Sequence, residues 1–342
     1  MNIGILTFHN ADNYGAVLQC YALQETIRQV CPHDAVCVAD YQNRVIQKSY
    51  AYVQVRKHIV LMLLQLLYIP ARMRAHRQFE RFRKQYLNIE SAAAERCELC
   101  VYGSDQIWNP WLTGNDAVYF GAGFAGKKAA YGASDGGQLE LNTETAALLR
   151  GFSAISCREQ TLSTRLERLL GEGKIQTVCD PVLLLKKEHW LKIAVRPREM
   201  RYVVLYRVSE NSSIVNETQR FAHRFGRQVI ELVYVRGLRT LLCVSRRFAA
   251  GVSPQEFLGY IAYADFVCTT SFHGTAFSIV FEKDFYAFRF EKGSERIRDM
   301  LSRVGLQDRF IAAVPEHADW QSHGIDWKPV CKQAAAFRKE SL

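Results

Sequence analysis

Short apolar runs alternate along this chain with polar turns and with segments whose apolar residues recur at helical spacing. Residues 3–8 read as a buried strand and residues 9–15 as a turn. Residues 16–30 read as a helix, with Val17, Leu18, Tyr21, Ala22, Leu23 and Ile27 supplying the period. Residues 35–39 form a second strand, which completes a strand–helix–strand unit. Further strands are predicted at 99–102, 128–133, 154–157 and 176–179, with a helix at 159–170 between the last two. Residues 57–87 are mostly helical, and Pro70 breaks or restarts that helix. A short helix is expected near Trp190.

The alternation then begins again. Strands are predicted at 202–206, 229–234, 266–268 and 285–288, and helices at 213–226, after Ser253-Pro254, after residue 268 and at 294–304. The expected fold is α/β, with two Rossmann-like domains at 1–194 and 195–313 and a cleft between their parallel sheets. The first includes the basic, apolar segment 56–87. The tail, 314–342, contains Trp320 and Trp327 and is expected to end in an amphipathic helix that packs back on the first domain.

Composition agrees with two cores. The chain has 342 residues, of which 49% are hydrophobic and 23% charged, a balance that excludes a largely disordered protein. The first strand begins at once, with no basic, apolar and small-residue leader ahead of it. No apolar run reaches the roughly 18 residues of a spanning helix, so a cytoplasmic protein is expected. Most of the ten cysteines sit in apolar runs, as do Cys37, Cys157, Cys179, Cys243 and Cys268, which suits buried reduced thiols. Cys97 and Cys100 have CxxC spacing but lack a second pair or a nearby pair of histidines. Packing explains them better than zinc or redox chemistry.

The net charge of +10 is uneven, because residues 56–84 carry eight Lys or Arg against a single acid, Glu80. The apolar runs 59–64 and 66–69 lie in the same stretch. An apolar helix flanked by cations suits the inner face of an anionic membrane, and the plain alternative is a core helix with solvated flanks. The segment lacks interleaved aromatics for stacking on bases, so nucleic acid is not an expected partner.

Several polar turns follow predicted strands, where open parallel sheets bind ligands. Gly121-Ala122-Gly123-Phe124-Ala125-Gly126 matches a dinucleotide fingerprint in letters only. A strand rather than a helix is predicted after it, so it reads as a glycine-rich loop. Asp12, Asn13 and Tyr14 occupy the turn after the first strand, as helix caps or as ligand contacts. Ser104, Asp105, Gln106 and Trp108 combine a hydroxyl, a carboxylate, an amide and an indole, a set suited to sugar hydroxyls and rings. Arg158 could hold a carboxylate or phosphate in two-pronged fashion, or could pair with Glu159 or Asp180. The densest turn is Thr269-Thr270-Ser271-Phe272-His273-Gly274-Thr275, between a buried strand and a buried helix. A helix amino terminus there attracts anions, and His273 can move a proton near neutral pH.

In chain order, these motifs resemble the polysaccharide pyruvyl transferase family. The resemblance is carried by Gly4-Ile5-Leu6-Thr7-Phe8 with Asn13-Tyr14-Gly15-Ala16, by Gly103-Ser104-Asp105-Gln106-Ile107-Trp108-Asn109, and by Tyr131-Gly132-Ala133-Ser134. It continues through Ser156-Cys157-Arg158-Glu159, Asp180-Pro181, Ser271-Phe272-His273-Gly274 and Ser294-Glu295-Arg296-Ile297, over roughly residues 1–310.

The resemblance implies a glycosyltransferase-B-like architecture. It also implies transfer of pyruvate, as a ketal, from phosphoenolpyruvate to a saccharide of a capsule, exopolysaccharide or cell-wall polymer. The acceptor is often lipid-linked. No cofactor or metal is called for. By the same carry-over His273 is the general acid/base and Arg158 holds the donor's anionic groups, with Ser271, Gly274, Lys292 and Arg296 as its company. The acceptor falls to Asp12, Asn13, Tyr14, Ser104, Asp105, Gln106 and Trp108. The family's better-studied branch carries a basic residue where this chain has Ser271, and a lysine near the place of Lys292. Two other readings stay open: a nucleotide-sugar glycosyltransferase of the same architecture, and a saccharide-binding protein without catalysis.

Overall fold

A computed structural model describes residues 1–50, 68–91, 96–171, 173, 175–208, 212–235, 247–290, 294–319 and 324–341. Lys292, Cys243, Trp320 and the apolar run 59–67 lie outside them. The chain forms two parallel-sheet α/β units, Met1–Ala51 with Arg81–Leu185 and Phe337–Leu342, and Tyr52–Glu80 with Lys186–Ala336.

The first unit holds a seven-stranded parallel sheet. Its strands are β1 (Asn2–Leu6), β2 (Ala35–Ala39), β3 (Ile89–Glu90), β4 (Leu99–Tyr102), β5 (Lys127–Ala133), β6 (Ala154–Cys157) and β7 (Ile175–Thr177), in the order β3-β2-β1-β4-β5-β6-β7. The apolar runs explain the arrangement, since strands covered on both faces need no polar alternation. Ile3, Ile5, Val38 and Cys157 are essentially inaccessible. The helix Tyr14–Val30 is interior over its first three turns, with Val17, Leu18, Cys20 and Ala22 fully buried.

The second unit holds a six-stranded parallel sheet: β8 (Tyr202–Tyr206), β9 (Gln228–Val233), β10 (Arg247–Ala250), β11 (Phe266–Thr269), β12 (Phe285–Phe288) and β13 (Phe310–Ile311), in the order β10-β9-β8-β11-β12-β13. Ser253 opens the helix Pro254–Ala262 through a reciprocal capping box with Glu256. The helix Phe272–Val280 is buried along its whole length, and Phe277 meets Trp190 edge-to-face at 5.0 Å.

These units differ from the division 1–194, 195–313 and 314–342 in three places. The helix Lys187–Ile193 joins the second unit, because Trp190 packs on Phe277 and Val195 N donates to Gln255 O at 2.9 Å. Residues 68–80 also join the second unit, where Phe79 meets the Tyr234 ring at 6.1 Å. The last helix, Trp327–Glu340, is shared. Its end belongs to the first unit, where Arg338 Nε donates to Leu183 O at 2.7 Å and Cys179 N to Ser341 Oγ at 2.9 Å.

The glycine-rich stretch is a loop. Gly121 ends the single turn Ala117–Phe120 in a left-handed conformation, and β5 follows instead of a helix. Edge strands β3, β10 and β13 and the helix Thr143–Arg150 had no distinct signal in the hydrophobic pattern. Among the described residues no helix is long and apolar enough to cross a membrane.

Candidate functional site

In each unit the sheet order reverses between two adjacent strands, β1 and β4 in the first and β8 and β11 in the second. Connections leave such a pair in opposite directions, so a crevice opens at their carboxyl ends. The turns that hold Asp12–Tyr14, Ser104–Trp108 and Ser271–Gly274 follow β1, β4 and β11 at these ends, whereas Arg158 follows β6 and Arg296 follows β12.

In the second unit, β8 and β11 run in register from Phe266↔Val203 to Thr269↔Tyr206. Thr269 Oγ1 donates to Tyr206 O at 2.7 Å and accepts from Ser271 N at 2.9 Å, and Val208 N donates to Thr270 Oγ1 at 2.9 Å. The turn is thus tied to the neighbouring strand before the helix begins. Ser271 is the N-cap, and its hydroxyl accepts from Gly274 N at 3.3 Å. A cap of this kind stabilises a helix by about 1 kcal/mol. That is the visible work of Ser271, in the position where a basic residue was expected. Gly274 answers to space: a Cβ there would lie 2.4 Å from Thr269 Oγ1. It lets the helix approach the strand.

His273 occupies the second position of this helix, 8% exposed, edge-on to the Phe272 ring with centroids 5.3 Å apart. The Arg296 guanidinium lies 5.8 Å above the same Phe272 ring. Ser271, His273 and Gly274 thus lie at a helix amino terminus, where backbone N–H groups and the helix dipole favour anions, and Arg296 reaches the ring of the adjoining Phe272. The motif reading missed Arg207 at the end of β8, whose Nη2 donates to buried Glu231 at 2.6 Å.

In the first unit, the Arg158 side chain is 2% exposed and donates to Asp180 Oδ2 at 2.6 Å and to Asp105 Oδ1 at 3.4 Å. Burial opposes its charge, but Asp180, Asp105 and Glu159 outweigh burial and raise it above the usual guanidinium value. The ion-pair alternative describes what is seen. Arg158 is sequestered, and it braces Asp105, which has an unusual positive φ of 72°.

The acceptor candidates separate by burial. Trp108 is fully buried, donates from its indole to Tyr119 O at 3.0 Å and stacks on Phe120. It is a core residue and presents no ring face to a sugar. Ser104 is likewise fully buried, donating to Gly132 O at 3.0 Å, and Tyr14 is 4% exposed. Asp12 is held in a buried pair by Arg83 Nη2 at 2.7 Å. The reachable groups are Asn13, Asp105 and Gln106. Asn13 caps the helix Tyr14–Val30 through Gly15 N and Ala16 N, and Gln106 Oε1 accepts from Asn109 Nδ2 at 2.8 Å.

Tyr50, not singled out by motif, joins them. The residue is 40% exposed, but its hydroxyl hydrogen-bonds Asn13 near Asp105 and Asp12. Burial pushes that hydroxyl up to about 12. Only the helical reach of residues 44–49 brings it there, a relation that motif spacing does not encode. Among the described residues no group of three or more His, Cys, Asp or Glu is arranged to hold a metal ion.

A family model described as polysaccharide pyruvyl transferase matches residues 13–290. No curated protein matches the sequence significantly. Among solved structures, a UDP-N-acetylglucosamine 2-epimerase is similar with a TM-score of 0.54 at 11% identity, covering 98% of this chain and 93% of the other. A putative UDP-N-acetylglucosamine 2-epimerase from Listeria monocytogenes gives 0.51 at 8% identity, covering 99% and 89%. MnaA of S. aureus, solved with UDP, gives 0.52 at 8% identity, covering 89% and 82%. At these identities the likeness shows the fold alone, two parallel-sheet α/β units.

Proposed function

Because the chain belongs to the polysaccharide pyruvyl transferase family, we propose that it transfers pyruvate from phosphoenolpyruvate to a saccharide as a ketal, in the assembly of a capsule, exopolysaccharide or cell-wall glycan. The observation that carries this reading is the position of His273. It stands at the amino end of a wholly buried helix, at the reversal point of its sheet, with Arg296 beside its neighbour Phe272.

The chemistry asks for few groups. His273 gives a proton to the methylene carbon of phosphoenolpyruvate, and positive charge develops at the carbon bearing the phosphate. One sugar hydroxyl adds to that carbon. The bond to phosphate then breaks, and a second hydroxyl closes the ketal. Of the two hydroxyl protons released, one makes up the methyl group by way of His273 and the other leaves with phosphate. General acid–base help of this kind contributes about 10²–10⁴-fold. The donor's anionic groups meet the amino end of the helix and Arg296, with Lys292 a further candidate from sequence. Neither a cofactor nor a metal enters the scheme. Arg158 acts at one remove, holding Asp105 for the acceptor, while Asn13, Gln106 and Tyr50 supply hydrogen bonds to sugar hydroxyls.

We further propose that the protein works at an anionic membrane face, where lipid-linked acceptors are found. Arg74, Arg77, Arg81 and Lys84 are all exposed on the helix Ile69–Tyr86, at spacings that form a stripe along one side. Each cation near such a surface contributes about 1 kcal/mol.

The test of the reaction is phosphate release from phosphoenolpyruvate across a panel of lipid-linked and nitrophenyl glycosides. Acceptor-dependent release is expected. No release with any glycoside, together with thermal stabilisation by a nucleotide sugar, would replace this reading with a glycosyltransferase.

A further inference from the structure

The helix Pro110–Thr113 carries Trp111 at 69% exposure, the most exposed aromatic among the described residues. Beside it runs a groove of about 440 Å³, within the range that holds small ligands (about 300–1,000 Å³). Its polar lining is Asn115, Gln138, Glu140, Asn142, Glu144 and Thr145, and neither Lys nor Arg lines it. In a chain of net charge +10 that absence argues against phosphate or a nucleotide, and the polar lining argues against a lipid tail.

The scaffold fixes the backbone that carries the indole. Asn109 caps the short helix, Pro110 starts it, and Gly114 ends it in a left-handed conformation. From outside, Asn43 Nδ2 donates to Thr113 O at 3.0 Å. The short helix is also tied to the acceptor turn, because the same Asn109 donates from Nδ2 to Gln106 Oε1 at 2.8 Å. An apolar ring face beside amides and two carboxylates, Glu140 and Glu144, matches a saccharide, which presents C–H faces and hydroxyl edges together.

We propose that this groove is a separate saccharide subsite, which takes neutral sugar units of the polymer next to the one that receives pyruvate. The inference rests on the acceptor being a saccharide and leaves the donor open. Trp111 stacks on one unit, and Asn115, Gln138, Asn142 and Glu144 bond to its hydroxyls.

The test uses a printed array of bacterial capsular and cell-wall glycans, read with the full-length protein, Trp111→Ala and Trp111→Tyr. Wild type should bind a subset of neutral glycans. Trp111→Ala should weaken that binding roughly tenfold or more, the scale of a buried aromatic anchor. Trp111→Tyr should stay within a few-fold of wild type, and all three should share one melting temperature. Equal binding by wild type and Trp111→Ala, or no glycan bound by wild type, overturns the subsite. Phosphate release from phosphoenolpyruvate is measured in parallel. Trp111-dependent binding without release upholds the subsite and removes the donor assignment. Release with Trp111-independent binding does the reverse.

Discussion

Arg158 Nη1 donates to Asp180 Oδ2 at 2.6 Å, and the two side chains are 2% and 0% exposed. A pair this deep is costly to break from one side, since the remaining guanidinium is left out of water with the longer contact to Asp105, at 3.4 Å, but not the short one. Asp180→Ala is therefore expected to destabilise the protein by about 3–5 kcal/mol. Chemical denaturation checks this, and a loss below about 1 kcal/mol would show that the pair is not the brace described. Arg158→Met, which keeps much of the volume, should retain more stability than Arg158→Ala but should weaken acceptor use, because Asp105 loses its support.

Gly274 and Thr269 form a second constraint. Gly274→Ala forces a methyl group to within 2.4 Å of Thr269 Oγ1, an atom held by its bond to Tyr206 O. The expected cost is about 1–3 kcal/mol. Thr269→Ala in the same chain should relieve part of it, so a double-mutant cycle by thermal melting should show non-additive coupling. Strict additivity would contradict the close strand–helix approach.

The two neighbouring tryptophans should behave in opposite ways. Trp108→Ala is expected to cost about 3–5 kcal/mol, as large cavities in a core do. Trp111→Ala should stay within about 0.5 kcal/mol of wild type. Equal losses, measured by denaturant unfolding, would mean that the burial of Trp108 beside Phe120 is misassigned.

His9 gives a pH signature. Burial outweighs its hydrogen bond to Asp40 and pulls its pKa below the ordinary 6.5. As pH drops below that value, the unfolded chain takes up a proton that the folded chain resists. Stability is thus lost from about pH 6.5 down to the lowered value. His9→Gln should remove this share of the acid loss, so the wild-type and variant curves should converge between pH 7.5 and 5.5. Parallel curves would contradict it.

The exposed stripe of Arg74, Arg77, Arg81 and Lys84 predicts salt-sensitive binding to vesicles containing phosphatidylglycerol and little binding to pure phosphatidylcholine. Changing all four to Gln should abolish sedimentation with the anionic vesicles. Undiminished sedimentation would remove the stripe from the account.

Much of this arrangement was legible in the sequence. Parallel strands buried on both faces leave continuous apolar runs, which placed β1, β2, β4, β8, β11 and β12 within a few residues. The polar turns after β1, β4 and β11 followed from them. Edge strands such as β10, Arg247–Ala250, carry a polar residue and too few apolar ones to stand out. Burial of individual turn residues was harder to read, because an indole suits a core as well as a sugar. Nothing in local spacing told Trp108 from Trp111, and the short helix Pro110–Thr113 that exposes Trp111 had no distinct apolar pattern. The allegiance of residues 68–80 to the second unit depends on contacts such as Phe79 with Tyr234, which lie far apart in the chain.

The most direct measurement is phosphate release from phosphoenolpyruvate by wild type and His273→Gln, with an acceptor on which wild type turns over. The variant should fall about 10²–10⁴-fold in kcat while its melting temperature stays near that of wild type. Wild-type turnover in a folded His273→Gln protein would contradict the assignment of His273 as the acid/base.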